Sequence, residues 1–109
     1  MVPTPDSILQ SDDVLERAAR LFRLMSAPLR LKIISVLCHG EKNVTELLAH
    51  VATTQPNISQ HLNALYKAGV LGKRRSGVQI YYHIANPQVT MLCRAVCTQV
   101  AREVAASTP

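Results

Sequence analysis

The sequence predicts a mainly α-helical domain interrupted by one β-hairpin, in the order α-α-α-α-β-β-α. Three observations predict it. Apolar residues recur at spacings of three and four along most of the chain. From Gly72 to Ile84 the period drops to two. Proline and glycine fall where helices would start and stop. With 109 residues, the chain has the length of one domain, and a core this small gains stability by pairing.

Residues 1–10 hold Pro3 and Pro5 and show no period, so they are expected to form a flexible tail ahead of a domain over 11–106. Asp13 and Glu16 suggest a capping box for the first helix, whose apolar positions are Val14, Ala18, Leu21, Phe22 and Met25. Pro28 ends that helix and opens the next, with Leu29, Ile33, Ile34, Val36 and Leu37 as its core face and Gly40 as its stop. Asn43 and Glu46 cap a short third helix carrying Leu47, Leu48 and Val51. Thr54 or Gln55 caps a fourth, with Pro56 in its first turn, Ile58, Leu62 and Leu65 as its stripe, and Gly69 at its end. Gly72 to Arg75, a turn at Ser76-Gly77, and Val78 to Ile84 read as the hairpin. Asn86-Pro87 starts the last helix, with Val89, Leu92, Val96, Val100 and Val104 as its core stripe. A second edge of that helix, Cys93, Cys97, Ala101 and Ala105, together with the first helix, is the candidate homodimer interface.

A short helix, a tight turn, a polar-faced helix and then a basic hairpin make a winged helix-turn-helix. Charge agrees. Residues 1–54 hold equal numbers of acidic and basic groups, so residues 55–109 carry the whole formal charge of +5 and would meet a polyanion first. Thr54, Gln55, Asn57, Ser59, Gln60, His61 and Asn63 crowd the first turns of the fourth helix. Amides suit base edges; hydroxyls suit phosphates or caps. Lys67, Lys73, Arg74 and Arg75 suit phosphates or the minor groove. A solvated polar face and a charged, protected sheet edge are the plainer readings of the same residues. Double-stranded DNA is the expected partner. No Gly-rich phosphate loop or Ser/His/Asp set suggests an enzyme. No apolar run reaches the ~18–20 residues of a membrane span, and Met1 to Gln10 lack the basic start of a secretory signal. The expected location is cytoplasmic, without membrane partners.

Ala27-Pro28-Leu29-Arg30-Leu31 with Ile33-Ile34, then Ile58-Ser59-Gln60-His61-Leu62 with Leu65, then Val70-Leu71 through Arg74-Arg75, Gly77 and Ile80-Tyr81-Tyr82, resemble the ArsR/SmtB family of bacterial repressors. The resemblance spans about residues 12–104. It implies a homodimeric repressor on an imperfect palindromic operator, released when an inducer binds or a thiol pair is modified. The family's arsenic-site cysteines correspond to Asn43 and Thr45 here, and the last helix holds neither His nor Asp for the family's zinc site. The four histidines, His39, His50, His61 and His83, show no zinc spacing. No cofactor is required.

Three cysteines remain. Cys38 ends the second helix; Cys93 and Cys97 lie one turn apart on the last. Small buried hydrophobes are one reading. Binding of a soft metalloid, arsenite or antimonite, by Cys38, Cys93 and Cys97 is a second. A bridge formed by persulfide or oxidant, with Cys38 and Cys97 as the preferred pair, is a third. Sulfide sensors of the family carry their cysteines at positions that correspond to Ser35 and about Ala101 here. Cys38 and Cys97 are displaced from these in directions that an antiparallel helix pair would reconcile.

Overall fold

A computed structural model describes residues 5–108. Its elements are α1 (Pro5–Leu9), α2 (Asp12–Leu24), α3 (Pro28–Leu37), β1 (Lys42–Asn43), α4 (Val44–Leu48), α5 (Gln55–Lys67), β2 (Leu71–Ser76), β3 (Gln79–Ile84) and α6 (Pro87–Ser107). The winged helix-turn-helix is present, with α4 and α5 as the helical pair and β2–β3 as the wing.

Two elements go beyond the expected order. Residues 5–9 form α1 where a flexible tail was expected; residues 1–4 of that tail lie outside the described residues. β1 is a two-residue strand on β3, pairing Lys42 with Tyr82 and Asn43 with Tyr81, so the sheet runs β1-β3-β2 and is antiparallel throughout. Two residues are too few to show a period.

Local caps set the helix starts. α2 is capped by Ser11, whose Oγ accepts from Val14 N–H at 3.3 Å, and not by the Asp13–Glu16 pair. The Asn43–Glu46 box forms in both directions: Glu46 N–H donates to Asn43 Oδ1 at 2.8 Å, and Asn43 N–H donates to Glu46 Oε1 at 3.0 Å. Thr54 caps α5 by accepting from Asn57 N–H at 3.3 Å. The hairpin turn is Gly77-Val78, one residue later than the sequence suggests, because Ser76 pairs with Gln79. Gly77 takes the positive φ of 62° that such a tight loop needs. Val78 consequently leaves the strand and is 92% exposed.

The core lies between α3, α4, α5 and the base of the wing. Ile33, Ile34 and Leu37 meet Leu47, Val51, Ile58, Leu62, Leu65, Val70 and Leu71, all buried. Leu29, Val36 and Leu48 pack at its margin. The expected core stripe of α6 is not in it. Val89 and Cys93 pack partly against the core, but Leu92, Val96, Val100 and Val104 are exposed. Of the cysteine edge, Cys93 is half-buried while Cys97, Ala101 and Ala105 are exposed, so neither edge of α6 forms a continuous core face. The cysteine edge turns toward α3, since Cys93, Cys97 and Ala101 line a cleft with Ile34 and Ser35. Val89, Leu92 and Val96 border a cleft with Leu21, Phe22 and Met25 of α2, while Val100 and Val104 lie exposed beyond it. On α2, Leu15 and Phe22 are likewise exposed. The radius of gyration is 16.4 Å, against about 13 Å for a compact domain of this length. Among the described residues, no helix is long and apolar enough to cross a membrane.

Candidate nucleic-acid interface and thiol cleft

Helix α5 is seated by Ile58, Leu62 and Leu65, each 0% exposed. That seat fixes which side chains face out. Thr54, Gln55, Asn57, Gln60 and Asn63 are exposed, and Ser59 is half-buried. Asn57 is oriented through its amide, which donates to Thr53 Oγ1 at 2.8 Å. Gln55 and Ser59 share a cleft of about 370 Å³ with Thr45 of α4 and with Val78, Gln79 and Ile80 of the wing. The first turns of α5, the α4 edge and the wing tip thus border one open groove.

His61 is placed differently from its neighbours. It is half-buried, and its Nδ1 accepts from Arg30 Nε at 2.9 Å. The bond commits Nδ1 of His61 to Arg30. Burial first, then the Arg30 charge, holds its pKa below the usual imidazole range.

The basic wing also divides. Side chains alternate along β2, so Lys73 and Arg75 share one face and Arg74 takes the other. Arg74 grips Glu41 with Nε 2.9 Å from Oε2, adds a second bond through its terminal nitrogen, and lies 4.8 Å above the Tyr81 ring. The hydrogen bond from Arg74 is the main cause holding the Glu41 carboxyl below its usual range. Lys73 is exposed, with Nζ 4.3 Å from the Tyr66 ring centre. Arg75 is anchored only to its own turn, Nε to Gly77 O at 3.3 Å. Lys67 is exposed in the last turn of α5. Sequence reasoning missed Glu41, Tyr66, Tyr81 and Arg30 as partners. The Arg74–Tyr81 match follows from the observed Gly77-Val78 turn, which the expected Ser76-Gly77 turn would have shifted to Gln79; the others depend on long-range packing.

Cys38 and Cys93 are half-buried at the core margin and Cys97 is exposed; all three are free thiols. Burial pushes the Cys93 thiol above its usual range, and the neighbouring Cys97 and Cys38 thiols push it the same way. Among the described residues, no three His, Cys, Asp or Glu side chains are grouped closely enough to hold a metal ion, so the expected three-thiol metalloid set is not preassembled. Cys93 and Cys97 together line an almost wholly apolar cleft of about 170 Å³, with Leu21, Phe22 and Met25 of α2 and Leu31 of α3. Ser35 and Ala101 border the adjoining cleft, again with Cys93 and Cys97.

Residues 27–73 match the family described as bacterial regulatory protein, arsR family. The chain is 33% identical over 89 residues to a probable mercury resistance operon repressor of Streptomyces lividans, covering 79% of this chain and 71% of that protein. It is 34% identical over 95 residues to a biofilm growth-associated repressor of Xylella fastidiosa, covering 81% of this chain and 83% of the relative. In structure it is similar to the homodimeric winged helix-turn-helix DNA-binding domain of a possible ArsR-family transcriptional regulator from Mycobacterium bovis, with a TM-score of 0.76, 27% identity, and coverage of 92% of this chain and 95% of that one. With its helix-turn-helix, its wing and these relatives in agreement, the chain belongs to the ArsR family and is a DNA-binding transcriptional repressor of that family.

Proposed function

We propose that the protein works as a homodimer on a palindromic operator and leaves it when its cysteines are modified. The carrying observation is the exposed polar row of α5, fixed by a fully buried stripe and flanked by Lys73 and Arg75. Gln55, Asn57, Gln60 and Asn63 read base edges in the major groove. Thr54, Ser59 and Lys67 bond phosphates. Lys73 and Arg75 follow the backbone into the minor groove, with Arg74 exchanging Glu41 for phosphate. His61 serves the same surface from behind.

The exposed row Leu92, Val96, Val100 and Val104, with Phe22 of α2, is the face a second copy covers. Pairing there sets the spacing of the two reading helices. The thiols lie beside this face. Cys97, exposed, is the first to react, Cys38 is its preferred partner, and Cys93 assists. A persulfide donor passes its outer sulfur to one thiolate; the second thiol then displaces it as hydrogen sulfide, leaving a disulfide bridge. Arsenite reaches a related end, losing one water for each thiol that binds it. Either cross-link changes how α6 lies on α3.

Fluorescence anisotropy on the promoter DNA upstream of the protein's own coding sequence tests this, first reduced, then with arsenite or a persulfide donor. Tight, salt-sensitive binding abolished by one reagent, and insensitive to it after Cys97→Ser, is the expected result. Binding that survives both reagents makes the thiols structural. A second reading then takes over: the apolar cleft of about 170 Å³ between α2 and α6 receives a small apolar effector.

A further inference from the structure

Arg30 stands where three helices meet. Its Nε donates to His61 Nδ1 at 2.9 Å, and one terminal nitrogen donates to the Leu24 carbonyl at 3.0 Å. One side chain in the first turn of α3 thus ties the last turn of α2 to the middle of α5. A guanidinium has donors only, so Nδ1 of His61 must keep its lone pair, and the neutral ring carries its proton on Nε2. Protonated imidazole is a donor at both nitrogens. It cannot accept from Arg30, and it would set a cation against a cation.

We propose that Arg30 is a positioning residue for operator recognition, acting through His61, and that protonating His61 breaks this tie between α3 and α5, loosens the seating of the reading helix and so erodes sequence discrimination in acid. The inference rests on α5 being the DNA-reading helix. His61 lies between the exposed Gln60 and the buried Leu62, so a shift of this clamp moves the reading face directly.

The surroundings leave the cation unsupported. The elements packed against α5 carry Arg30 and Lys32 (α3), Glu46 (α4), and Lys73, Arg74 and Arg75 (β2). Glu46 is bonded to Asn43, Lys73 lies over Tyr66, Arg74 holds Glu41 and Arg75 bonds Gly77 O. Among the described charges, Arg30 is the one whose field acts on the ring. Burial and that field both lower the His61 pKa, so the clamp's contribution is complete above the ordinary imidazole pKa and disappears as pH falls through the lowered one. An added positive charge on α5 does not weaken sequence-independent attraction to phosphate. The ratio of specific to non-specific affinity is therefore what falls.

The test uses the full-length reduced protein and two duplexes: one selected from a random pool by the wild-type protein near neutral pH, and a scrambled control. Wild type should lose affinity ratio between about pH 7.5 and about pH 5.5, by less than about tenfold, because a ring with a lowered pKa is only partly protonated at the acid end. Asparagine places an amide oxygen near the position of Nδ1 and does not titrate. His61→Asn should therefore lose the pH dependence, whatever ratio it shows near neutral pH. Arg30→Met should show a reduced ratio at every pH, with a melting curve confirming that it folds. Nitrogen NMR of the DNA-free protein should find the His61 proton on Nε2. A pH profile unchanged in His61→Asn, or a ring protonated on Nδ1 at neutral pH, overturns the proposal. Failure of the pool to yield any preferred duplex overturns the DNA-reading assignment itself, while the ring NMR still decides whether the clamp exists.

Discussion

Helices α5 and α6 carry the same kind of apolar stripe, yet the two stripes end in opposite surroundings. Ile58, Leu62 and Leu65 of α5 are 0% exposed, whereas Leu92, Val96, Val100 and Val104 of α6 are between 47% and 59% exposed. α5 is enclosed by α3, α4 and β2; α6 meets the body mainly along Val89, Thr90 and Cys93 and then runs on past it. Burial is a property of the neighbours a helix finds, and α6 finds too few within one chain. Half-exposed valines in a continuous row form an apolar surface of the kind the proposed second copy would cover. The DNA-reading half is finished in the single chain. The half that carries α6 is the one that the proposed pairing would finish.

The largest effect should come from attacking the unfinished half. The double change Val96→Glu and Val100→Glu should leave helical content intact but give a monomer by sedimentation, with operator affinity down about a thousandfold as the second half-site contact is lost. A dimer that survives would break the contrast, placing the interface elsewhere. The finished half should fail in another way. Leu62→Ala should cost about 3 kcal/mol of unfolding free energy, read by urea denaturation, because it opens a cavity in a fully buried site. A small cost would mean that the α5 seat is looser than its burial implies.

A smaller effect separates the wing arginines. Lys73→Ala and Arg75→Ala should each lower the slope of log affinity against log salt by about 1. Arg74→Ala should lower it less, since Arg74 must first give up Glu41. Equal slopes for all three would show that the Glu41 bond is surrendered freely. The smallest effect concerns the thiols. Cys97 should alkylate well before Cys93, which is held protonated by burial. Because the folded Cys93 pKa is raised, its stabilising contribution is complete below the ordinary thiol pKa and is lost as pH rises through the higher one. Melting temperature should therefore decline on the alkaline side, and less so in Cys93→Ala. An unchanged decline would place Cys93 in a wetter site than its packing suggests.

Much of the DNA-reading half was legible in the sequence because its signals are local. The Asn43–Glu46 box, the Thr54 cap and the Ile58-Leu62-Leu65 stripe each depend on residues within a few positions, and each formed as read. Where two local signals competed, the reading slipped: Ser11 capped α2 in place of Asp13, and the turn moved from Ser76-Gly77 to Gly77-Val78. The polar row of α5 was visible, but not that His61 would turn inward to Arg30, some thirty positions away.

By itself, then, the sequence determined the element types, most of their limits, the wing's charge and the family, because caps, glycines and periodicity act over one or two turns. Tertiary structure alone decided how little of α6 the body covers, that Cys93 is the half-buried thiol of that helix, and that Arg74 and His61 are held by Glu41 and Arg30. Those outcomes depend on how whole elements dock. A helical period says that a face is apolar; it does not say whether the same chain or another copy will cover it.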